Sequence, residues 1–232
     1  MQACLFDLDG VLTDTASVHR RAWKHTFDPV LAAHGQHPFS EGDYNDYVDG
    51  KPRLDGVRDL LAARGIALAE GDEDDPPDAE TVHGIAARKN AEVVRRIQED
   101  GVHVYPGSRR YLEAAAGAGL RRVVVSSSAN TAQVLQVTGL DEFIEHRVDG
   151  VTIHDQGLKG KPAPDSFLAG AGLAGVDPAQ AAVFEDATAG VEAGRRGSFG
   201  YVIGINRLDD SHARALEEHG ADIVVDDLAD LL

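Results

Sequence analysis

From Val102 onward the chain keeps switching between short apolar runs and longer stretches with helical spacing, and few architectures accept that rhythm. RVVVSSS (122–128), AAVFED (181–186), YVIGI (201–205) and DIVV (222–225) read as strands, and FIEHRVDG (143–150) contains a short one. RRYLEAAAGAG (109–119), TAQVLQVTG (131–139), DSFLAGAGLAG (165–175), AGVEAGRRG (189–197) and ARALEEHGA (213–221) read as the intervening helices. Short apolar strands alternating with helices indicate an α/β fold, a mostly parallel sheet covered on both faces.

The first strand stands apart from this series. ACLFDL (3–8) reads as a buried strand, although an apolar run this short is compatible with a helix. Between it and Val102 the pattern is helical. Ala16, Val18, Ala22, Trp23, Phe27, Val30 and Leu31 follow helical spacing, with Asp14 or Thr15 placed to cap them. Pro29 predicts a kink, or an end near residue 28. Residues 53–63 and 79–98 are helical again, separated by the acidic, proline-broken GDEDDPPD (71–78). A lone strand cannot bury both faces against helices, so 1–14 and 99–232 are expected to form one α/β core. Residues 15–98 then form a helical cap inserted after the first strand. One continuous α/β domain with a long helical excursion is the alternative; the distinct composition of 15–98 favours the cap.

Charge narrows the function. The chain has 39 acidic and 22 basic residues, a net charge of -17, and no dense Lys/Arg stripe. Such a surface repels phosphate backbones and anionic membranes, so neither nucleic acid nor membrane is an expected partner. No run approaches the length of a membrane span, no secretory leader is legible, and the single cysteine, Cys4, lies in an apolar run. Together these predict a cytoplasmic enzyme. A phosphate ester would need a cation and a few bases brought to its site on purpose.

The chemistry-bearing residues fall where strands should end. Asp7 and Asp9 follow the first strand with the same side-chain parity, and Gly10 allows a sharp turn whose N–H groups could meet an anion. One Asp can attack phosphorus and a neighbour can move a proton, or both can be solvated loop acids. Glu185 and Asp186 follow another apolar run, where carboxylates from two loops fit a hard cation such as Mg²⁺; exposed turn acids are the competing reading. Ser126, Ser127 and Ser128 precede a helix, where hydroxyls and N–H groups bind phosphate or one serine caps the helix. Lys161 lies beside Pro162 and Pro164 on a stiffened loop suited to a fixed point charge, with Lys159 as its competitor. In the insertion, His19, Trp23 and Lys24 share the first helix, and His19 and Trp23 are candidate substrate contacts, a surface histidine being the equal alternative for His19. Arg53 and the Lys89-Asn90 pair can reach an anion or sugar hydroxyls, although a lone arginine in an acidic protein is commonly a surface ion-pair partner.

Four stretches match, in order and spacing, the motifs of the haloacid dehalogenase-like phosphotransferases, which the whole chain resembles: FDLDGVLTD (6–14), VVSSS (124–128), KGKPAPD (159–165) and VFEDATAG (183–190). The resemblance implies a Rossmann-like, HAD-like core. It makes Asp7 the nucleophile and Asp9 the general acid/base, with the Asp9 backbone carbonyl also on Mg²⁺. Ser126 and Lys161 would hold the transferring phosphoryl group, and Glu185 and Asp186 would complete the metal site.

Within the family the chain is most similar to the β-phosphoglucomutase subgroup, through TDTxxxHxxAWK (13–24), GKPRLDG (50–56), ARKN (87–90) and VYPG (104–107). That likeness implies interconversion of β-glucose 1-phosphate and glucose 6-phosphate through an aspartyl-phosphate enzyme, with glucose 1,6-bisphosphate as activating intermediate. Arg53 would grip the distal phosphate and Lys89 and Asn90 would line the substrate side. Thr15 and His19 would sit at the hinge and gate the acid/base. Asn130 also matches a loop reaching the distal phosphate, but Ala129 replaces the lysine usual there, and 71–78 is longer than usual. A sugar-phosphate phosphatase is the alternative enzyme and a non-catalytic sugar-phosphate binding module the alternative class. A monomer suffices for either enzyme.

Overall fold

The computed structural model describes residues 1–232. Six strands form one parallel sheet: β1 (Ala3–Phe6), β2 (Arg121–Val125), β3 (His146–Val148), β4 (Ala181–Glu185), β5 (Tyr201–Ile205) and β6 (Ile223–Val225). Their order is β3-β2-β1-β4-β5-β6. The chain runs outward on one side of β1 and then restarts beside it with β4. The β1/β4 boundary is thus the switch point, and a crevice opens beyond the strands' carboxyl ends there. Phe6 pairs with Val124 on one side and Phe184 on the other, so all three central strands finish level.

Ten helices accompany the strands: α1 (Thr15–Ala33), α2 (Glu41–Asp43), α3 (Arg53–Ala63), α4 (Val82–Asp100), α5 (Pro106–Gly117), α6 (Thr131–Thr138), α7 (Gly150–Asp155), α8 (Asp165–Ala174), α9 (Thr188–Arg196) and α10 (Asp210–Glu218). Two-residue periodicity sorts the strands' side chains. Leu5, Val123, Val125, Val183 and Val202 join Phe167 and Ala171 of α8 and Val191 and Ala193 of α9 in one buried cluster. Residues of opposite parity face the other way: Phe6 and Phe184 stack at 4.6 Å, with Tyr111 of α5 against both. Each central strand is therefore covered on both faces, which is why its sequence is apolar without alternation.

The chain divides into two units, residues 1–15 with 102–232, and residues 16–101. The sequence reading places these boundaries at 14/15 and 98/99. The second crossing falls later because α4 runs on to Asp100 and stops only at Gly101, which adopts φ +72°. The helical unit has its own core, in which Trp23, Phe27, Leu31, Val57, Leu60 and Ile85 are buried. Pro29 does not end α1 at residue 28; the helix continues to Ala33. Both Pro29 and His25, whose carbonyl loses its helical partner, are exposed, so solvent can satisfy that carbonyl. The polar stretch before α3 contains a wide helical turn, Tyr44–Val48. The acidic 71–78 segment folds back on itself: Asp75 accepts from the Thr81 hydroxyl at 2.6 Å, and Arg88 donates to the Pro77 carbonyl at 2.6 Å. No helix is long and apolar enough to cross a membrane.

Glu92 fastens α4 from within. It is 8% exposed and accepts from Arg95 at 2.8 and 2.9 Å and from Arg96 at 2.7 Å. Hydrogen bonding from Arg95, helped by the charge of Arg96, holds its carboxyl down at about 2 against an ordinary 4.5. A depressed folded value means stability that is complete above the unfolded pKa and is lost as pH falls through the folded one. Glu92→Gln is expected to cost about 1–2 kcal/mol at pH 7, the exposure of Arg95 limiting the gain. Thermal melts of both proteins should differ fully at pH 6 and progressively less below pH 4.5.

Candidate active site

Asp7 is the first residue beyond β1, and its N–H extends the ladder to the Phe184 carbonyl at 2.9 Å. Only 7% of it is exposed. One carboxylate oxygen accepts from Lys161 Nζ at 2.5 Å and the other from the Asp9 N–H at 2.8 Å. Lys161, 4% exposed, also donates to Glu185 Oε1 at 2.5 Å and to the Val125 carbonyl at 3.2 Å. One ammonium thus joins the carboxyl ends of β1, β2 and β4. Lys159, the sequence-level competitor, is exposed.

Carboxylate oxygens of Asp7, Glu185 and Asp186 all lie within 4.8 Å of one another. Three carboxylates against one ammonium leave two formal negative charges in a nearly dry place, a deficit that a divalent cation would fill. Glu185 already uses both oxygens, one on Lys161 and one accepting the Ala187 N–H at 3.0 Å. Asp7 is engaged in the same way, one oxygen on Lys161 and the other on the Asp9 N–H. Burial pushes the carboxyls of Asp7 and Glu185 above their ordinary values, each against the pull of Lys161. For Lys161 burial works the other way, yet the carboxylates of Asp7 and Glu185 outweigh it and raise its pKa, so it stays charged at neutral pH.

Asp9 stands outside this trio. Its carboxylate accepts from the Thr15 hydroxyl, and Thr15 Oγ1 lies 2.9 Å from Thr13 Oγ1. Gly10 departs from the sequence reading. Its N–H is not a free anion donor, because it closes the turn onto the Thr13 carbonyl at 2.8 Å. The glycine is needed for φ +82° and because a side chain there would run into the Asp186 carboxylate. Gly190 has a similar role, since a Cβ would overlap Glu185.

Ser126 follows β2, fully buried, with its N–H on the Val148 carbonyl at 2.9 Å and its Oγ accepting the Ser128 N–H at 3.0 Å. Ser127 is half-buried beside it. The Asn130 N–H donates to Ser128 Oγ at 3.2 Å immediately ahead of α6.

In the helical unit, Lys89 Nζ donates to His19 Nδ1 at 2.6 Å, which requires a neutral imidazole. Burial, reinforced by the charges of Lys89 and Arg53, holds the His19 pKa well below its ordinary value. Arg53 donates to the Asn90 side chain, and burial lowers its pKa. Trp23 is a correction. At 3% exposure it belongs to the helical core, stacked on Phe27 at 5.3 Å, and it offers Lys89 a ring face at 4.8 Å rather than a surface for substrate.

Two residues outside every recognised motif touch these loops. Arg207 donates to the Gly10 carbonyl at 2.6 Å, and His212 Nε2 lies 2.9 Å from the Asp186 carbonyl. Neither carries a local signal, because their meaning depends on which loops the sheet brings beside them.

Acids gathered at the switch point of a parallel sheet are placed to hold a cation and to let a carboxylate attack a bound phosphate. Residues 1–197 match the family model of haloacid dehalogenase-like hydrolases, and the chain belongs to that family. It is 55% identical over 240 residues to a protein of Mycobacterium tuberculosis (strain CDC 1551 / Oshkosh) named β-phosphoglucomutase, covering 100% of this chain and 92% of that one. A β-phosphoglucomutase of Bacillus subtilis (strain 168) is 31% identical over 235 residues, again covering 100% and 92%. A crystal structure of β-phosphoglucomutase from Clostridium difficile shares the fold, with a TM-score of 0.80 at 24% identity, covering 100% of this chain and 93% of that one.

Mg²⁺ at about 100 times its dissociation constant should stabilise the α/β unit by about 2.7 kcal/mol. The rise in melting temperature over an EDTA-treated sample measures it. Asp186→Asn should remove the rise without lowering the melting temperature in EDTA, because it takes one charge out of the acidic trio.

Proposed function

We propose that the chain is a phosphosugar mutase that interconverts β-D-glucose 1-phosphate and glucose 6-phosphate, with Asp7 as the group that carries phosphate. The observation that carries this reading is the Asp7 carboxylate itself, buried at the switch point and held between Lys161 and the Asp9 N–H. The 55% identity to a β-phosphoglucomutase across the full chain supports the choice of substrate.

An oxygen of Asp7 attacks phosphorus as the bond from phosphorus to the departing sugar oxygen breaks. Asp9, whose carboxylate takes a hydrogen bond from Thr15, supplies the proton that oxygen needs. In the reverse direction Asp9 removes the proton from the sugar hydroxyl that attacks the aspartyl-phosphate. Lys161 meets the negative charge on the transferring group, and the Ser126 loop offers hydroxyls to its oxygens. Mg²⁺ held by Asp7, Asp186 and the Asp9 carbonyl, with Glu185 behind them, would draw charge from the phosphoryl group and from the attacking carboxylate. Glucose 1,6-bisphosphate carries a second phosphate, and the helical unit supplies a second cationic group, Arg53 with Lys89 and Asn90.

With β-glucose 1-phosphate, Mg²⁺ and a trace of the bisphosphate, the protein should yield glucose 6-phosphate. Inorganic phosphate as the main product would instead identify a phosphatase, and ligand binding without turnover a binding module. Asp7→Asn should abolish transfer. Asp9→Asn should keep phosphate binding and slow turnover by roughly 10²–10⁴-fold. Near-normal rates in Asp7→Asn would overturn the nucleophile assignment.

A further inference from the structure

The acids at the ends of β1 and β4 are brought together by the sheet, but the sheet fixes only their backbone roots. Beyond Asp7 and Glu185 both segments leave the ladder, and the distance between the Gly10 turn and Asp186 is set by whatever holds the two loops. They touch closely: a Cβ on Gly10 would overlap the Asp186 carboxylate. A third segment, the start of the β5–α10 connection and the first turn of α10, reaches both.

Arg207 takes the Gly10 side. Its Nε donates to the Gly10 carbonyl at 2.6 Å and its Nη2 reaches the Val11 carbonyl at 3.4 Å. Its Nη1 donates to the Asp226 carbonyl at 2.8 Å and lies 3.8 Å from the Asp227 carboxylate. The guanidinium carbon stands 3.7 Å over the Tyr105 ring, so the fork is fixed by stacking as well as by hydrogen bonds. His212 takes the other side. Its Nε2 lies 2.9 Å from the Asp186 carbonyl and its Nδ1 lies 3.1 Å from Asn206 Oδ1. Asn206 is itself held, Oδ1 accepting the Leu208 N–H at 3.2 Å and Nδ2 donating to Asp226 at 3.0 Å. The Asp209 carboxylate caps α10 and accepts the His212 N–H at 3.1 Å, fixing the turn from which the imidazole projects. One short segment therefore grips the nucleophile loop with a guanidinium and the Asp186 loop with an imidazole.

We propose that Arg207 and His212 are positioning residues for the metal-binding carboxylates: as a clamp across the switch point, they set the separation of the Asp7–Gly10 loop from Asp186 and so the affinity of the site for Mg²⁺. Neither touches the reacting atoms; both act through backbone carbonyls of the two loops. This rests on the metal site proposed above. A lysine at 207 cannot reproduce the clamp, since a single ammonium cannot span the Gly10, Val11 and Asp226 carbonyls in one plane. A glutamine at 212 can restore part of it, because its amide can donate to the Asp186 carbonyl.

The test is calorimetric titration of the full-length protein with Mg²⁺ alone, without substrate, alongside melting temperatures in EDTA. Wild-type binding, and its loss in Asp186→Asn, establish the metal site first. Arg207→Lys and His212→Ala should then weaken Mg²⁺ by about 10–100-fold, the usual cost of losing a partner behind a metal ligand. His212→Gln should recover part of the loss. Turnover in the variants should return as Mg²⁺ is raised, with KM for the phosphosugar unchanged. A lower melting temperature in EDTA with wild-type Mg²⁺ affinity would show that the clamp only stabilises the fold, and would overturn the inference. A wild type that takes up no Mg²⁺ overturns the metal site and this inference with it; a wild type that binds, with variants binding equally well, overturns this inference alone. Should Arg207→Lys not fold, the His212 pair decides: affinity lost in His212→Ala and partly regained in His212→Gln supports the clamp, and equal affinity in both overturns it.

Discussion

One buried ammonium holds the site together. Lys161 sits between Asp7 and Glu185, each 2.5 Å away, and closes its third bond on the Val125 carbonyl. Burying any of these charges alone would be expensive, and the arrangement persists because each is paired. The same ammonium is what lets acids from β1 and β4 approach one another at all. Much of the surrounding architecture follows from this arrangement. The central strands must end level, Gly10 and Gly190 must have no side chain, and Ser126 must leave β2 where its loop can face the same point.

This explains how so acidic a protein can handle phosphate. With a net charge of -17 the surface disfavours anions, and attraction has to be local. In the proposed scheme the α/β unit confines it to one lysine and one loop of hydroxyls, against an acidic trio that a divalent cation would neutralise. The helical unit keeps a separate cationic group, Arg53 and Lys89, tied to Asn90 and His19. Burial of these side chains removes competing water and raises the worth of each charge.

The sequence reading recovered the alternation of elements because a strand buried on both faces must be continuously apolar, and β5 was delimited residue for residue as Tyr201–Ile205. It was less able to see α7 (Gly150–Asp155), which is six residues long and begins on the Asp149 cap. Of its two alternatives at Pro29, a kink or an end, the end near residue 28 is the one the structure overturns, since local rules cannot tell whether a helical proline faces solvent. Trp23 misled it for a related reason: a helix-surface motif and a core position use the same aromatic residue, and only packing separates them.

What the sequence determined by itself was the chemistry available: which residues are acids, which lysine is stiffened by prolines, and that four motifs occur in family order. These are local facts, written in residue type and spacing. Tertiary structure alone decided how they are used. Folding gave Gly10 its contact with Asp186, took its N–H into a turn, engaged both oxygens of Glu185, and brought Arg207 to the Gly10 loop, 197 residues away along the chain, and His212 to the Asp186 loop. The physical reason is that hydrogen bonding and desolvation depend on neighbours in space, and in a parallel sheet the nearest neighbours of a strand end are far away along the chain.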